Sequence, residues 1–401
     1  MTLPNTSDSV YFKHGFGLKS EIRPTLERDY HSGLVARIKE SGNRLVVGEL
    51  TVLLAQEFGF CYGVDKAVDY AYETRMKFPD KTIYLTSEII HNPSVNQRLE
   101  EMGIRFLPSG EKRFDGLTPE DVVLIPAFGV TVEEMETLQK KGCVLVDTTC
   151  GSVVHVWKRV EKYAQDGFTA IIHGKYRHEE TQATSSRVTQ YPGGNYLIVF
   201  DLQEAKEVCR YVVAGGNKKA FLSQFGKVAS PGFDPDRDLV RVGCANQTTM
   251  LSSESLEVAG LFREAMIQRY GEAALEEHFR SFDTICSATQ ERQDAVLSMV
   301  KEGLDAMVIV GGYNSSNTTH LCEIASQHTR AYHIEDAGCL LSKQKIRHKP
   351  VGEKRLIETE PWIRDDSVKI GVTAGASTPD RVTGEVIEKL ARCWGHSLQE
   401  V

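Results

Sequence analysis

The strongest constraint on the fold is an alternation in which short β-rich apolar runs give way repeatedly to segments with helical periodicity. The runs are LTVLLA (50–55), TIYLT (82–86), DVVLIP (121–126), TAIIHG (169–174), YLIVF (196–200), AMVIVGG (306–312) and VKIGVTAG (368–375). Strands that alternate with helices in this way imply an α/β fold of parallel sheets covered by helices. After Cys61, apolar residues fall at Val64, Ala67, Val68, Ala71 and Tyr72, the i, i+3, i+4, i+7, i+8 stripe of a helix with one face on a sheet. A chain of 401 residues, 41% of them hydrophobic, exceeds the needs of one ordinary domain, so two or three are expected.

The loops after these strands keep a rhythm. In order they carry Cys61, then His91-Asn92, then Cys150, then His178 with Glu180, then Cys286, then Ser315-Ser316-Asn317. In open α/β sheets the strand-to-helix edge is where ligands bind. Three units of a cysteine loop plus a polar loop suggest three similar α/β domains facing a common centre. The boundaries expected from this are an N-terminal extension (1–48), domains at 49–149, 150–285 and 286–385, and a C-terminal tail (386–401). The extension and the Gly-, Lys- and Asp-rich segment 214–238 fall outside the rhythm and read as surface additions.

Nine cysteines without a CxxC pair exclude a zinc ribbon, a thioredoxin-like site and the close-spaced ferredoxin pattern. Three of them share a setting: GFCYGVDKA around Cys61, VDTTCGSVV around Cys150 and FDTICSATQERQDAV around Cys286. In each a strand ends, the cysteine takes the turn and a helix begins, which aims backbone N–H groups and the positive helix end at the sulfur and favours a thiolate. Three converging turns make a three-thiolate site, and a cubane cluster held by three ligands keeps one iron open to substrate. On spacing alone, three unrelated turn cysteines packed as small hydrophobes fit equally well. Of the others, Cys143 lies in the strand CVLV, Cys209, Cys322 and Cys393 lie in helical patterns, Cys339 follows a strand-like run, and Cys244 stands near a polar loop.

The segments HN (91–92), HEET (178–181), QTT (247–249), NSSN (314–317) and GAS (375–377) offer neutral donors at helix starts. Such groups bind phosphate without a lysine, and as a set they suit a diphosphate; singly, each is explained by helix capping. Glu180 differs, because a carboxylate beside a diphosphate is repelled unless it works on protons. A net charge of −8 provides no general attraction to nucleic acid or anionic membrane. No run approaches the roughly 18 apolar residues of a membrane span, and the start lacks an apolar signal core and is too acidic for a transit peptide. A soluble, cytoplasmic protein acting on a small molecule is expected.

Together, GFCYGVDKA, IIHNPSV, VDTTC, HEET, QTT, ICSATQERQ, NSSNT and VTAGASTPD resemble, in order over about 50–385, the 4-hydroxy-3-methylbut-2-enyl diphosphate reductase family. The resemblance implies a pseudo-threefold trefoil of α/β domains around one [4Fe-4S] cluster. It implies reductive dehydroxylation of the allylic diphosphate to isopentenyl and dimethylallyl diphosphates with two electrons and two protons, the last step of the non-mevalonate isoprenoid pathway. It makes Cys61, Cys150 and Cys286 the cluster ligands. His91, His178, Ser315, Ser316, Asn317 and Ser377 match diphosphate contacts, Glu180 matches the proton-delivering carboxylate, and Thr248, with Thr249 beside it, matches the hydroxyl near the substrate alcohol. The implied electron donor is ferredoxin or flavodoxin. Where many members read AHGV, with a phosphate-binding histidine, this chain reads PAFGV and places Phe128 there. The phenylalanine, the extension and the 214–238 segment resemble the cyanobacterial and plastid branch, and the acidic start fits a cyanobacterial cytoplasm. Two other readings share the three cysteines: a non-redox hydro-lyase, whose carboxylate substrates usually recruit Arg forks, and a cluster-bearing redox sensor, which the negative charge and the lack of a DNA-binding motif disfavour.

Overall fold

A computed structural model describes residues 10–398 except 109, 111 and 366; the first nine residues of the expected extension and the last three of the expected tail lie outside the described residues. The apolar runs form strands at Leu50–Leu54, Ile83–Leu85, Val122–Ile125, Thr169–His173, Tyr196–Val199, Ala306–Val310 and Val368–Ala374, and helices follow most of them. The fold is mixed α/β with mostly parallel sheets. No helix among the described residues is long and apolar enough to cross a membrane.

Two compact units divide the chain: 1–14, 80–87 and 104–286 form the first, and 15–79, 88–103 and 287–401 the second. The first unit holds two all-parallel sheets. One runs Tyr11–Phe12, Val144–Asp147, Val122–Ile125, Ile83–Leu85, Ile104–Phe106; the other runs Phe279–Ser281, Val242–Asn246, Thr169–His173, Tyr196–Val199. The second unit holds a five-stranded sheet, Ala331–Ile334, Ala306–Val310, Val368–Ala374, Leu50–Leu54, Arg44–Val47, in which only the last strand runs antiparallel, plus the small antiparallel pair Ile346–His348 and Ile357–Thr359.

Three larger sheets are therefore present, but the strand Leu50–Leu54 is not in the sheet of the segment 49–149 to which its position assigned it. It pairs with Val368–Ala374, Val52 opposite Ile370. The reason is burial: Leu50, Val52 and Leu54 are almost fully buried there, as are Val368, Ile370 and Val372. The expected tail from 386 is likewise not a tail up to Cys393, because the helix Asp380–Cys393 buries Val386, Ile387, Leu390 and Ala391.

The two presumed surface additions are structural. Within 214–238, the helix Lys218–Phe225 and the turn after it bury Phe221, Phe225 and Phe233 in a core with Tyr211, Val242 and Phe262. Tyr211 and Phe225 flank Phe221 at 4.7 and 4.8 Å between ring centroids. Three buried phenylalanines at roughly 2 kcal/mol each outweigh the polar composition that suggested a surface loop. In the extension, Tyr11–Phe12 adds an edge strand beside Leu145–Val146, and Asp29 accepts from Tyr72 Oη and Arg98 Nε, both at 2.8 Å.

Gly243 shows how tightly the second sheet is covered. Tyr163, on the helix Gly151–Gln165, lies over the strand Val242–Asn246 and donates from Oη to Cys244 O at 2.9 Å, and a Cβ on Gly243 would stand 2.7 Å from three ring atoms. Gly243→Ala is expected to lift the ring, break that hydrogen bond and cost about 1–3 kcal/mol. Denaturant unfolding measures it, and an unchanged midpoint would show that the ring moves freely.

Candidate active site

Each of the three turn cysteines continues a parallel ladder beyond the end of its strand. Cys61 N–H donates to Ala376 O at 3.2 Å, Cys150 N–H to Ala127 O at 2.9 Å and Cys286 N–H to Thr248 O at 3.2 Å. The acceptors stand just past Val368–Ala374, Val122–Ile125 and Val242–Asn246, the strands that neighbour Leu50–Leu54, Val144–Asp147 and Phe279–Ser281. Cys61 and Cys150 then occupy the N-cap positions of Tyr62–Lys77 and Gly151–Gln165, and Cys286 directly precedes Ser287–Met299. All three are half-buried.

Two of these turns are locked by the same side chains. Thr148 and Thr284, each two residues before its cysteine, donate Oγ1 to Ile125 O at 2.7 Å and Asn246 O at 3.0 Å. Asp147 and Asp283 accept at Oδ1 from the N–H two residues on, at 2.9 Å from Thr149 and 3.0 Å from Ile285. The repeated Asp-Thr-x-Cys in VDTTC and FDTIC is the sequence signal for this, and reading the two contexts separately misses it.

In the first unit the Cys286 turn leads to the expected acid. Thr248, whose carbonyl accepts from Cys286, donates its own N–H to Glu180 Oε1 at 2.6 Å and its Oγ1 to Glu180 Oε2 at 3.0 Å. Glu180 is only 1% exposed, so it is no surface carboxylate, and it lies in the first turn of the helix Glu179–Val188, whose N-cap His178 accepts the Glu180 N–H on Nδ1 at 3.2 Å. A neutral His178 with Nδ1 so engaged carries its proton on Nε2. Gln247 ties the loop together, Oε1 accepting from Lys175 N–H and Thr181 Oγ1 and Nε2 donating to Thr249 Oγ1 at 2.9 Å. The structure thus gathers Glu180, Thr248, Thr249 and His178 with the Cys286 turn.

In the second unit the Cys61 turn leads in the same way to the polar loops. Ala376, whose carbonyl accepts from Cys61, donates its N–H to Asn317 Oδ1 at 2.9 Å, and Ser377 Oγ donates to His91 O at 3.1 Å. With Oδ1 thus assigned, Asn317 Nδ2 is a buried donor that meets no acceptor among the described residues. Ser315 caps the helix Ser316–Ser326 through Thr318 N–H, and Ser315, Ser316, Asn317 and Ser377 are all buried. Gly312 is required here: a Cβ on it would stand 2.6 Å from His91 O. An unspent amide donor, hydroxyls and a helix N-terminus are what a phosphate group needs.

The donor chemistry also sorts the cysteines. Burial pushes the Cys209 and Cys322 thiols up to about 12, Cys244 well above its ordinary value, and Cys143 and Cys393 upward. Metal ligation requires the thiolate, so these five are poor candidates, whereas Cys61, Cys150 and Cys286 sit half-buried at helix starts and fit an iron–sulfur cluster.

A family model described as LytB protein matches residues 52–391. The 4-hydroxy-3-methylbut-2-enyl diphosphate reductase of Thermosynechococcus vestitus is 53% identical over 387 residues, covering 96% of this chain and 95% of its own length. The chain belongs to the LytB family. The reductase of the same name from Gloeobacter violaceus is 52% identical over 387 residues, covering 95% of this chain and 92% of its own. A solved structure of (E)-4-hydroxy-3-methyl-but-2-enyl diphosphate reductase, the terminal enzyme of the non-mevalonate pathway, aligns at 27% identity and a TM-score of 0.52 over 85% of this chain and 99% of its own. The Plasmodium falciparum structure, at 21% identity and a TM-score of 0.61 over 87% and 90%, shares the fold.

Within this LytB chain Phe128 follows the acceptor Ala127 as Ser377 follows Ala376 and Thr249 follows Thr248. Its ring meets His178 edge to face at 5.3 Å between centroids. Phe128→His keeps a planar ring of similar reach against His178 and is expected to leave iron content and substrate affinity near the parent values, as measured by iron assay and calorimetry. Loss of substrate binding with fold and cluster intact would show a pocket rebuilt around the phenyl ring.

Proposed function

We propose that this chain reduces (E)-4-hydroxy-3-methylbut-2-enyl diphosphate to isopentenyl and dimethylallyl diphosphates, using one [4Fe-4S] cluster on Cys61, Cys150 and Cys286. The observation that carries the reading is the bonded path from Cys286 through Thr248 to a buried Glu180. It joins a cluster-type cysteine to a buried carboxyl group through one threonine that gives it two hydrogen bonds. When bound, the cluster supplies electrons and an open iron that acts as a Lewis acid toward the substrate alcohol.

The protein's own groups do the rest. His91, Ser315, Ser316, Asn317 and Ser377, with His178, hold the diphosphate oxygens, Asn317 Nδ2 supplying a donor already desolvated. Thr248 Oγ1 orients the alcohol, and Glu180 provides protons at Oε2, the oxygen that Thr248 Oγ1 contacts. Breaking the C–O bond consumes two electrons and two protons and releases water. The electrons come from a small carrier protein, ferredoxin or flavodoxin, and the chain works in a cyanobacterial cytoplasm.

Anaerobic turnover of the allylic diphosphate with an artificial reductant tests the reading, and absence of both products from cluster-loaded protein contradicts it. In that assay Cys61→Ser, Cys150→Ser and Cys286→Ser should each lose the cluster or nearly all activity, because oxygen replaces thiolate poorly on iron, while Cys143→Ser retains both. Glu180→Gln should keep cluster and substrate affinity and lose turnover by roughly 10²- to 10⁴-fold, the usual value of a positioned acid. Normal turnover in Glu180→Gln would assign the proton to another source.

A further inference from the structure

The Cys61 turn lacks the lock that serves the other two. It reads Phe58-Gly59-Phe60-Cys61, with neither the aspartate nor the threonine of Asp-Thr-x-Cys. Arg292, from the helix Ser287–Met299, stands in for both. Its Nε and Nη2 donate to Gly59 O at 3.2 and 2.7 Å, Nη2 also to Phe60 O at 3.1 Å, and Nη1 to Ala288 O at 2.9 Å. Gly59 has φ +76°, so its carbonyl is turned out of the ladder and needs a donor.

Arg292 is 3% exposed, and among the described residues no carboxylate forms an ion pair with it. A buried guanidinium whose hydrogen bonds go to backbone carbonyls alone has no bonded counter-charge, which costs free energy unless an anion lies close. Asp65, one turn into the helix that Cys61 caps, feels that charge without bonding to it. An iron–sulfur cluster with thiolate ligands is a net anion, and its ligand Cys61 follows directly on the two carbonyls that Arg292 holds.

We propose that Arg292 is a positioning residue for Cys61, fixing the turn with its planar fork and placing a permanent positive charge beside the thiolate-bound cluster. This rests on the assignment of Cys61 as a ligand. The two roles separate chemically: lysine keeps the charge but cannot span two carbonyls as a fork, and glutamine keeps some hydrogen bonding but no charge.

The test uses the full chain, loaded with cluster without oxygen, as parent, Arg292→Lys and Arg292→Gln. Two readouts are taken: the rate of iron loss to a chelator and the midpoint potential of the cluster. Both variants should lose iron faster than the parent. The potential should fall in Arg292→Gln, since removing a positive charge disfavours the more negative reduced state, and stay near the parent value in Arg292→Lys. If Arg292→Gln does not fold, Arg292→Lys carries the test through iron loss with an unchanged potential. Variants that hold iron as firmly as the parent, or two equal drops in potential, overturn the proposal while leaving the ligand assignment standing. A parent protein that takes up no cluster overturns both.

Discussion

Each of the three cysteine turns depends on the same backbone interaction: the N–H of the cysteine given to a carbonyl just beyond the end of the adjacent parallel strand. A parallel pair normally frays where its strands end, and here it is extended by a further rung that contains the cysteine. The bond fixes where the cysteine leaves the sheet and spends its N–H within the protein. It also couples each cysteine to the residue next after the acceptor, Ser377 after Ala376, Phe128 after Ala127 and Thr249 after Thr248. The sulfur-bearing loops and the polar loops are therefore placed by the same hydrogen bonds, so an error in one displaces the other.

The likeness of the three cysteine turns is clearer in these bonds than in their residues. Asp147-Thr148 and Asp283-Thr284 reproduce each other's contacts, whereas the Cys61 turn reaches an equivalent rung with Gly59 N–H on Ala374 O and an arginine in place of the other side chains. Equivalent backbone geometry is thus held by different chemistry in one copy out of three. Selection on geometry leaves that freedom, because a carbonyl is satisfied equally by a hydroxyl, an amide or a guanidinium.

Strand and helix positions were legible because apolar periodicity reports which face is buried, and the stripe Val64, Ala67, Val68, Ala71, Tyr72 is buried throughout. Which strand pairs with which was not legible. Leu50–Leu54 looks like the first strand of its own domain, and nothing local announces its partner Val368–Ala374 far along the chain. The segment 214–238 misled for a different reason: its Gly, Lys and Asp content is that of a loop, while three phenylalanines carry its burial. At the site, residue types were legible and their couplings were not. Glu180 stood out as a carboxylate among neutral donors, but its bond to Thr248 and the grip of Arg292 on Gly59 join residues far apart in sequence.

The proposed chemistry requires three cysteine ligands that leave one iron of a cluster open to substrate. The Mössbauer spectrum of anaerobically loaded protein, recorded before and after addition of the allylic diphosphate, addresses this directly. The expected spectrum is that of a cubane cluster in which a single iron site is distinct and alone changes on addition of the diphosphate. Irons that are all equivalent and unaffected by substrate, or iron bound without sulfide, would contradict it.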